Sequence, residues 1–246
     1  MSLKTVTIDF WNTLYNSKGG IERNKYRQRA LIQELDKYDK LVKQDEFESA
    51  MKSSWEFFNK IWFSEKRTPR PEETVTHFWK TLEMEHNEES IGKIIEEFAN
   101  STLVHPPQLN PGAKKAVEKL SEDFNLAIVS DTGFTKGELL KKLLKKDGLI
   151  DYFEYFSFSD ETEVSKPHPK AFQVVLDYFG CKPDEAIHIG DIERTDIEGA
   201  VGIGMHAIRY SGDMSGNMAQ QNPQDTKGDI DLDSWEKIVE FIYKLR

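Results

Sequence analysis

The sequence predicts an α/β fold, a doubly wound parallel sheet interrupted near its start by an all-helical segment. Three observations predict it. A β-prone run, Val6 to Ile8, ends on Asp9, and two later runs, Asn125 to Val129 and Ala186 to Ile189, end on Ser130-Asp131 and Gly190-Asp191. Each of these runs leads into a segment with helical apolar spacing, the alternation expected of βαβ units with right-handed crossovers. About eighty residues after Tyr15 carry apolar residues at helical spacing only, as in Leu31 and Leu35 or Trp55, Phe58 and Trp62.

In chain order, Thr5 to Tyr15 holds the first strand and the loop after it, and Asn16 to Gly20 is a turn-like patch. The helical insert follows, and Val104-His105-Pro106-Pro107 is its return linker. The predicted division is therefore a core of residues 1–16 and 104–246 with an insert of 17–103. Asn110-Pro111 offers an N-cap with Pro at the first helical position, ahead of the apolar face of Ala113, Ala116, Val117 and Leu120. A Lys-rich helix is expected from Lys136 to Lys146, a short strand at Tyr155 to Phe158, and a helix begun by Pro169 and ended before Gly180. Asp196 is expected at a helix start, and Met205 to Ile208 as the last strand. Ser211 to Gly228, poor in apolar residues, reads as a long mobile loop. Asp233-Ser234 then caps a terminal helix bearing Trp235, Ile238, Ile242 and Leu245.

A hydrophobic fraction of 38% over 246 residues permits ordinary core burial. The net charge of −10 gives no attraction to a phosphate backbone or an anionic lipid surface, so neither nucleic acid nor membrane is an expected partner. No apolar run approaches the ~20 residues that cross a bilayer, and no basic then apolar leader opens the chain, so a cytoplasmic protein is expected. The single cysteine, Cys181, rules out an internal disulfide, and the six histidines lack zinc-site spacing. His168 suits a surface or capping position, and Lys141, Lys142, Lys145 and Lys146 a solvated helix face. The insert's aromatics, Trp55, Phe57, Phe58, Trp62, Phe63, Phe78 and Trp79, suit its own core, with a share in a substrate pocket as the alternative.

Asp9-Phe10-Trp11-Asn12-Thr13, Ser130, Lys166 ahead of Pro167, and Gly190-Asp191 with Asp196 five residues later fall in a fixed order. Singly, Asp9, Ser130 and Asp196 also fit strand ends or helix caps; their coincidence points to a site. In that order and spacing they resemble the four motifs of the haloacid dehalogenase superfamily of hydrolases. The resemblance covers roughly Lys4 to Tyr15 and Gln108 to Tyr210, and the insert resembles that family's helical cap of the first type. It implies a Rossmann-like core beneath a cap that moves as a lid. By resemblance, Asp9 is the nucleophile that forms an aspartyl intermediate. Asp9, Asp191 and the main-chain carbonyl of Trp11 hold Mg²⁺, with Asp196 orienting Lys166 or a metal-bound water. Lys166 offsets the negative charge, Ser130 and its neighbour Asp131 belong to the substrate-binding loop, and Thr13 steadies the nucleophile.

The pattern breaks at Trp11. The family's phosphatases carry a second Asp there as general acid, and an indole exchanges no proton at neutral pH. The family's dehalogenases also lack that Asp, since a halide leaves without protonation, but they typically lack paired acids such as Asp191 and Asp196. Three functions therefore stay open. One is a Mg²⁺-dependent phosphatase of a small phosphorylated metabolite, acting as a monomer or homodimer. The second is a metal-independent 2-haloacid dehalogenase, and the third a catalytically weak protein that binds Mg²⁺ and a phosphorylated ligand.

Overall fold

The computed structural model describes residues 2–38, 40–216 and 218–245. Its centre is β1 (Thr5–Ile8), whose four residues are all buried, as a strand covered on both faces requires. The chain then gives α1 (Gly20–Leu35), α2 (Gln44–Glu65), α3 (Pro71–Thr81) and α4 (Glu88–Val104) before α5 (Ala113–Leu120). There follow β2 (Asn125–Ser130), α6 (Gly137–Lys146), β3 (Tyr155–Phe158), α7 (Ser159–Thr162), α8 (Pro169–Phe179), β4 (Ala186–Gly190) and α9 (Glu198–Gly202). β5 (His206–Tyr210), β6 (Ile230–Leu232) and α10 (Trp235–Leu245) complete it.

Among the described residues the strands form one six-stranded sheet in the order β3-β2-β1-β4-β5-β6, every neighbouring pair parallel. The chain winds outward from β1 through β2 to β3, then returns to β1's other side for β4, β5 and β6. That reversal opens a crevice at the carboxyl ends of β1 and β4, where open α/β sheets bind ligands. Register aims three segments there, because Ile8 pairs with both Ile128 and Ile189. Asp9, Ser130 and Asp191 accordingly leave the sheet along one edge.

Each face of the sheet has its own apolar layer. Val6, Ile8, Ile128 and Ile189 pack with Leu120, Leu140 and Trp235 on one side. Ala127, Val129 and Ala207 pack with Phe172, Val175 and Ile197 on the other. Burying each large side chain contributes ~1.5–3 kcal/mol, so the layers fix the sheet without help from the site's polar groups. A third cluster joins α1 to α4 through Leu31, Ala50, Phe78, Trp79 and Ile94, and admits Phe134 from the β2–α6 loop. The chain enters and leaves this helical region side by side. Asn16 N–H donates to the Gln108 carbonyl at 2.8 Å, and one Arg23 Nη1 donates to the carbonyls of Lys18 at 3.0 Å and His105 at 2.8 Å.

Three expectations need correction. β5 is followed by a further strand, β6, which the sequence hid because Ile-Asp-Leu is short and its Asp231 is exposed. Asn110 does not cap α5; Gly112 at φ 82° precedes that helix, while the Asn110 amide donates to the Thr13 carbonyl at 2.7 Å. Ser211 to Gly228 is irregular but anchored. Arg209 bonds the carbonyls of Pro223, Gln224 and Asp225, Asp213 Oδ2 accepts from Ser17 N–H at 3.1 Å, and Asn222 Nδ2 donates to the Asp191 carbonyl at 2.6 Å. Asn217 of that stretch lies outside the described residues.

Candidate active site

The nucleophile candidate Asp9 stands one residue past β1, its N–H donated to the Ile189 carbonyl at 2.9 Å, so β1 and β4 both fix it. Its Oδ1 accepts from Lys166 Nζ. That ammonium also donates to Asp196 Oδ1 at 2.6 Å and to the Val129 carbonyl at 3.0 Å. All three ammonium protons are thereby used, which is what permits a lysine to be 3% exposed. Burial pulls the Lys166 pKa down, but Asp196, Asp9 and Asp131 outweigh it and hold the group above its usual value. The charge is permanent at neutral pH.

Asp196 sits in a π-helical turn, Glu193–Ile197, and its carboxylate is saturated. Oδ1 faces Lys166 and, at 3.1 Å, His188 Nε2; Oδ2 accepts from Ile192 N–H and Thr195 Oγ1, each at 3.1 Å. Burial opposes its ionisation, yet Lys166 and His188 keep it well below the usual carboxylate range. With every lone-pair direction taken, Asp196 serves to hold Lys166. Gly190 is required beside it, because a Cβ there would lie 2.4 Å from Asp196 Cβ. His188 was missed by the sequence reading. Burial lowers its pKa and keeps it neutral, so Nε2–H donates to Asp196 while Nδ1 accepts from Thr7 Oγ1 at 2.8 Å. The available signal was a histidine in the otherwise apolar Ala186–Gly190 strand.

Asp191 differs from Asp196. Its Oδ2 is buried with no hydrogen-bond partner, and burial, then Asp196 and Asp9, raise its pKa well above normal. Asp9 is likewise raised, to about 7, by burial against the opposing pull of Lys166. Two carboxylates thus converge with too little positive charge, which is what a hard divalent cation would correct. Among the described residues no group of three or more His, Cys, Asp or Glu is arranged to hold a metal. Mg²⁺ is often held by one or two carboxylates with several waters, so Asp9 and Asp191 fit it while a zinc-type cage is not present among those residues.

Asp131 is taken on both oxygens, Oδ1 by Lys166 N–H at 3.1 Å and Oδ2 by the Trp62 indole of α2 at 2.8 Å. Desolvation raises it to about 6. Asp9, Trp11, Asp131, Lys166, Asp191 and Asp196 line one cleft of about 610 Å³, which Trp62 also walls. Thr13 and Ser130 do not line it. Both are buried with bare hydroxyls, while the Thr13 carbonyl accepts from Asn110 and, at 3.3 Å, from Trp235. Trp11 lies edge-on to Phe10 and beneath the Arg23 guanidinium, 5.7 Å from its ring centroid. Of the insert's aromatics, Phe58, Phe78 and Trp79 are buried, Trp55 is exposed, and Trp62 reaches the cleft.

A family model described as haloacid dehalogenase-like hydrolase matches residues 3–204. The glyceraldehyde 3-phosphate phosphatase of Pyrococcus furiosus is 33% identical over 132 residues, which are 53% of this chain and 53% of that enzyme. The chain thus spans about half the length of that curated relative. Among solved structures, a 2-haloacid dehalogenase from Pseudomonas syringae superposes with TM-score 0.73 at 20% identity, over 99% of this chain and 100% of the other. The putative hydrolase YfnB of Bacillus subtilis, a structure bound to magnesium and described as revealing interdomain movement, gives TM-score 0.65 at 19% identity over 98% and 99%.

Proposed function

The chain belongs to the haloacid dehalogenase-like hydrolase family, and we propose that it is a Mg²⁺-dependent phosphatase of small phosphorylated metabolites working through Asp9. The observation that carries this reading is the pairing of a Lys166-bound Asp9 with Asp191, whose buried Oδ2 has no partner. Asp9 attacks phosphorus as the ester P–O bond breaks, forming a covalent aspartyl phosphate. The leaving oxygen departs as an anion that takes its proton from water, and a second water then cleaves the aspartyl phosphate to release phosphate and restore Asp9. Lys166 offsets charge between Asp9 and the phosphoryl group, held by Asp196, which His188 supports in turn. For Ser130 to donate to a phosphoryl oxygen, as the family resemblance implies, its buried hydroxyl would have to turn into the cleft, which it does not line in this structure. Thr13, through its carbonyl bonds, steadies the loop. Asp9, Asp191 and the Trp11 carbonyl would hold Mg²⁺, which when bound neutralises phosphoryl charge and orients the group. Residues 17–103 would form a cap, hinged where Arg23 ties the two linkers, that excludes water when closed. The phosphatase activity named for the Pyrococcus relative supports the reaction class.

Trp11 favours a second reading, metal-independent dehalogenation, since that chemistry needs no general acid. One assay separates them: release of phosphate from an aryl phosphate and of halide from a 2-haloacid, each with Mg²⁺ and with a chelator. The phosphatase reading predicts phosphate release that the chelator abolishes and no halide release. Halide release indifferent to the chelator, with the aryl phosphate untouched, would reverse it.

A further inference from the structure

The cleft carries four carboxylates, those of Asp9, Asp131, Asp191 and Asp196, against one ammonium. Lys166 has no donor left, since Asp9, Asp196 and the Val129 carbonyl take its three protons. Two arginines of α1, Arg23 and Arg27, do not line the cleft. Arg23 Nη1 is bound to the Lys18 and His105 carbonyls, and its guanidinium lies over the Trp11 ring. Arg27 Nε donates to Ser101 Oγ at 2.9 Å, and its guanidinium lies over the Phe134 ring, 5.3 Å from its centroid, in a smaller cavity of about 80 Å³ that meets the cleft only at Asn24. Among the described residues the rest of the cleft wall is uncharged, with the Trp11 and Trp62 rings, Ile21 and the amide of Asn24.

From this we propose that the cleft accepts phosphate monoesters whose leaving group is uncharged, a polyol, sugar or nucleoside, and rejects those bearing a carboxylate or second phosphate. The inference rests on the phosphatase reading above. Mg²⁺ in the site would be engaged by the transferred phosphate and leave nothing for a second anion. A second negative group would sit among carboxylates with no further cation among the described residues that line the cleft, and uncompensated like charge in a partly desolvated site costs at least one to two decades in affinity or rate. Hydroxyls and ring faces, in contrast, find amide and indole partners in the wall.

The test compares kcat/KM for glycerol 3-phosphate and 3-phosphoglycerate, which differ in a terminal hydroxymethyl against a carboxylate, with an aryl phosphate as reference. We expect about 10² in favour of glycerol 3-phosphate. Asn24→Lys, which adds the missing cation at the cleft wall, should narrow that ratio, chiefly by lowering the KM for 3-phosphoglycerate. Parity between the two esters, with the aryl ester also turned over, would overturn this inference alone. Parity that disappears in Arg27→Gln would overturn it too, and would assign the anion subsite to Arg27. No turnover of any ester, the aryl one included, would remove the phosphatase reading and this inference with it.

Discussion

Asp131 shows how far a single side chain can couple site and fold. Its carboxyl is raised to about 6 by desolvation, only partly offset by Lys166 and the Trp62 indole. An unfolded carboxyl loses its proton near pH 4, so between about pH 4 and pH 6 the folded state holds a proton that the unfolded state has lost. Stability contributed by this group therefore falls as pH rises through that window and is flat above it, a decline of up to about 3 kcal/mol. Asp131→Asn, which cannot titrate, is expected to remove that decline; urea unfolding of both proteins from pH 4 to pH 7 measures it, and identical pH slopes would refute it. The acids themselves were readable from the sequence, because apolar strands run straight into Asp9 and Gly190-Asp191. Their supports were not. His188, Trp62 and Thr7 act through partners distant in sequence, and only the sheet register brings Thr7 beside His188.

The elements divide the same way. Helices with strong apolar periodicity and clear punctuation fell where the sequence indicated, as with α8 between Pro169 and Gly180, where His168 Nδ1 also accepts from Lys170 N–H at 3.1 Å. β6 and the Asn110 turn did not, because a three-residue strand has no period to read and the Asn110 amide serves the Thr13 carbonyl instead of a helix end. α2 is the element that joins insert to site. Its end meets the other part of the chain through Trp62 on Asp131, and just beyond it the Lys66 carbonyl accepts from Ser165 N–H at 2.7 Å and Thr68 Oγ1 meets Ser159 Oγ at 2.7 Å. Trp62→Phe keeps an aromatic ring and deletes the indole donor. A hydrogen bond to a charged acceptor is worth ~1.5–3 kcal/mol, so the variant should raise KM by about tenfold or more if that bond holds the closed cap. Steady-state kinetics on an aryl phosphate check it, and an unchanged KM would show that Trp62 is mere packing.

At the scale of the whole molecule, the sheet's winding does the chemical assembly. Because the chain leaves β1 in one direction and returns to its other side, the proposed nucleophile after the first strand and the acid after the fourth become neighbours though 182 residues apart (9 to 191). Because the insert departs within a few residues of Asp9 and returns beside its exit, the helices that wall the cleft hang from one pair of linkers, pinned by Arg23. The anchored loop after β5 adds Ser215 and Met218 to the opposite wall and ties Asn222 to the Asp191 carbonyl. Everything converges on one carboxylate, and it can be interrogated directly. Acid quench of the protein during turnover of an aryl phosphate, followed by peptide mass spectrometry, should find a phosphoryl adduct on Asp9 that appears with Mg²⁺ and is absent with a chelator. Phosphate release at full rate with no adduct on Asp9, or with undiminished turnover in Asp9→Asn, would contradict the account.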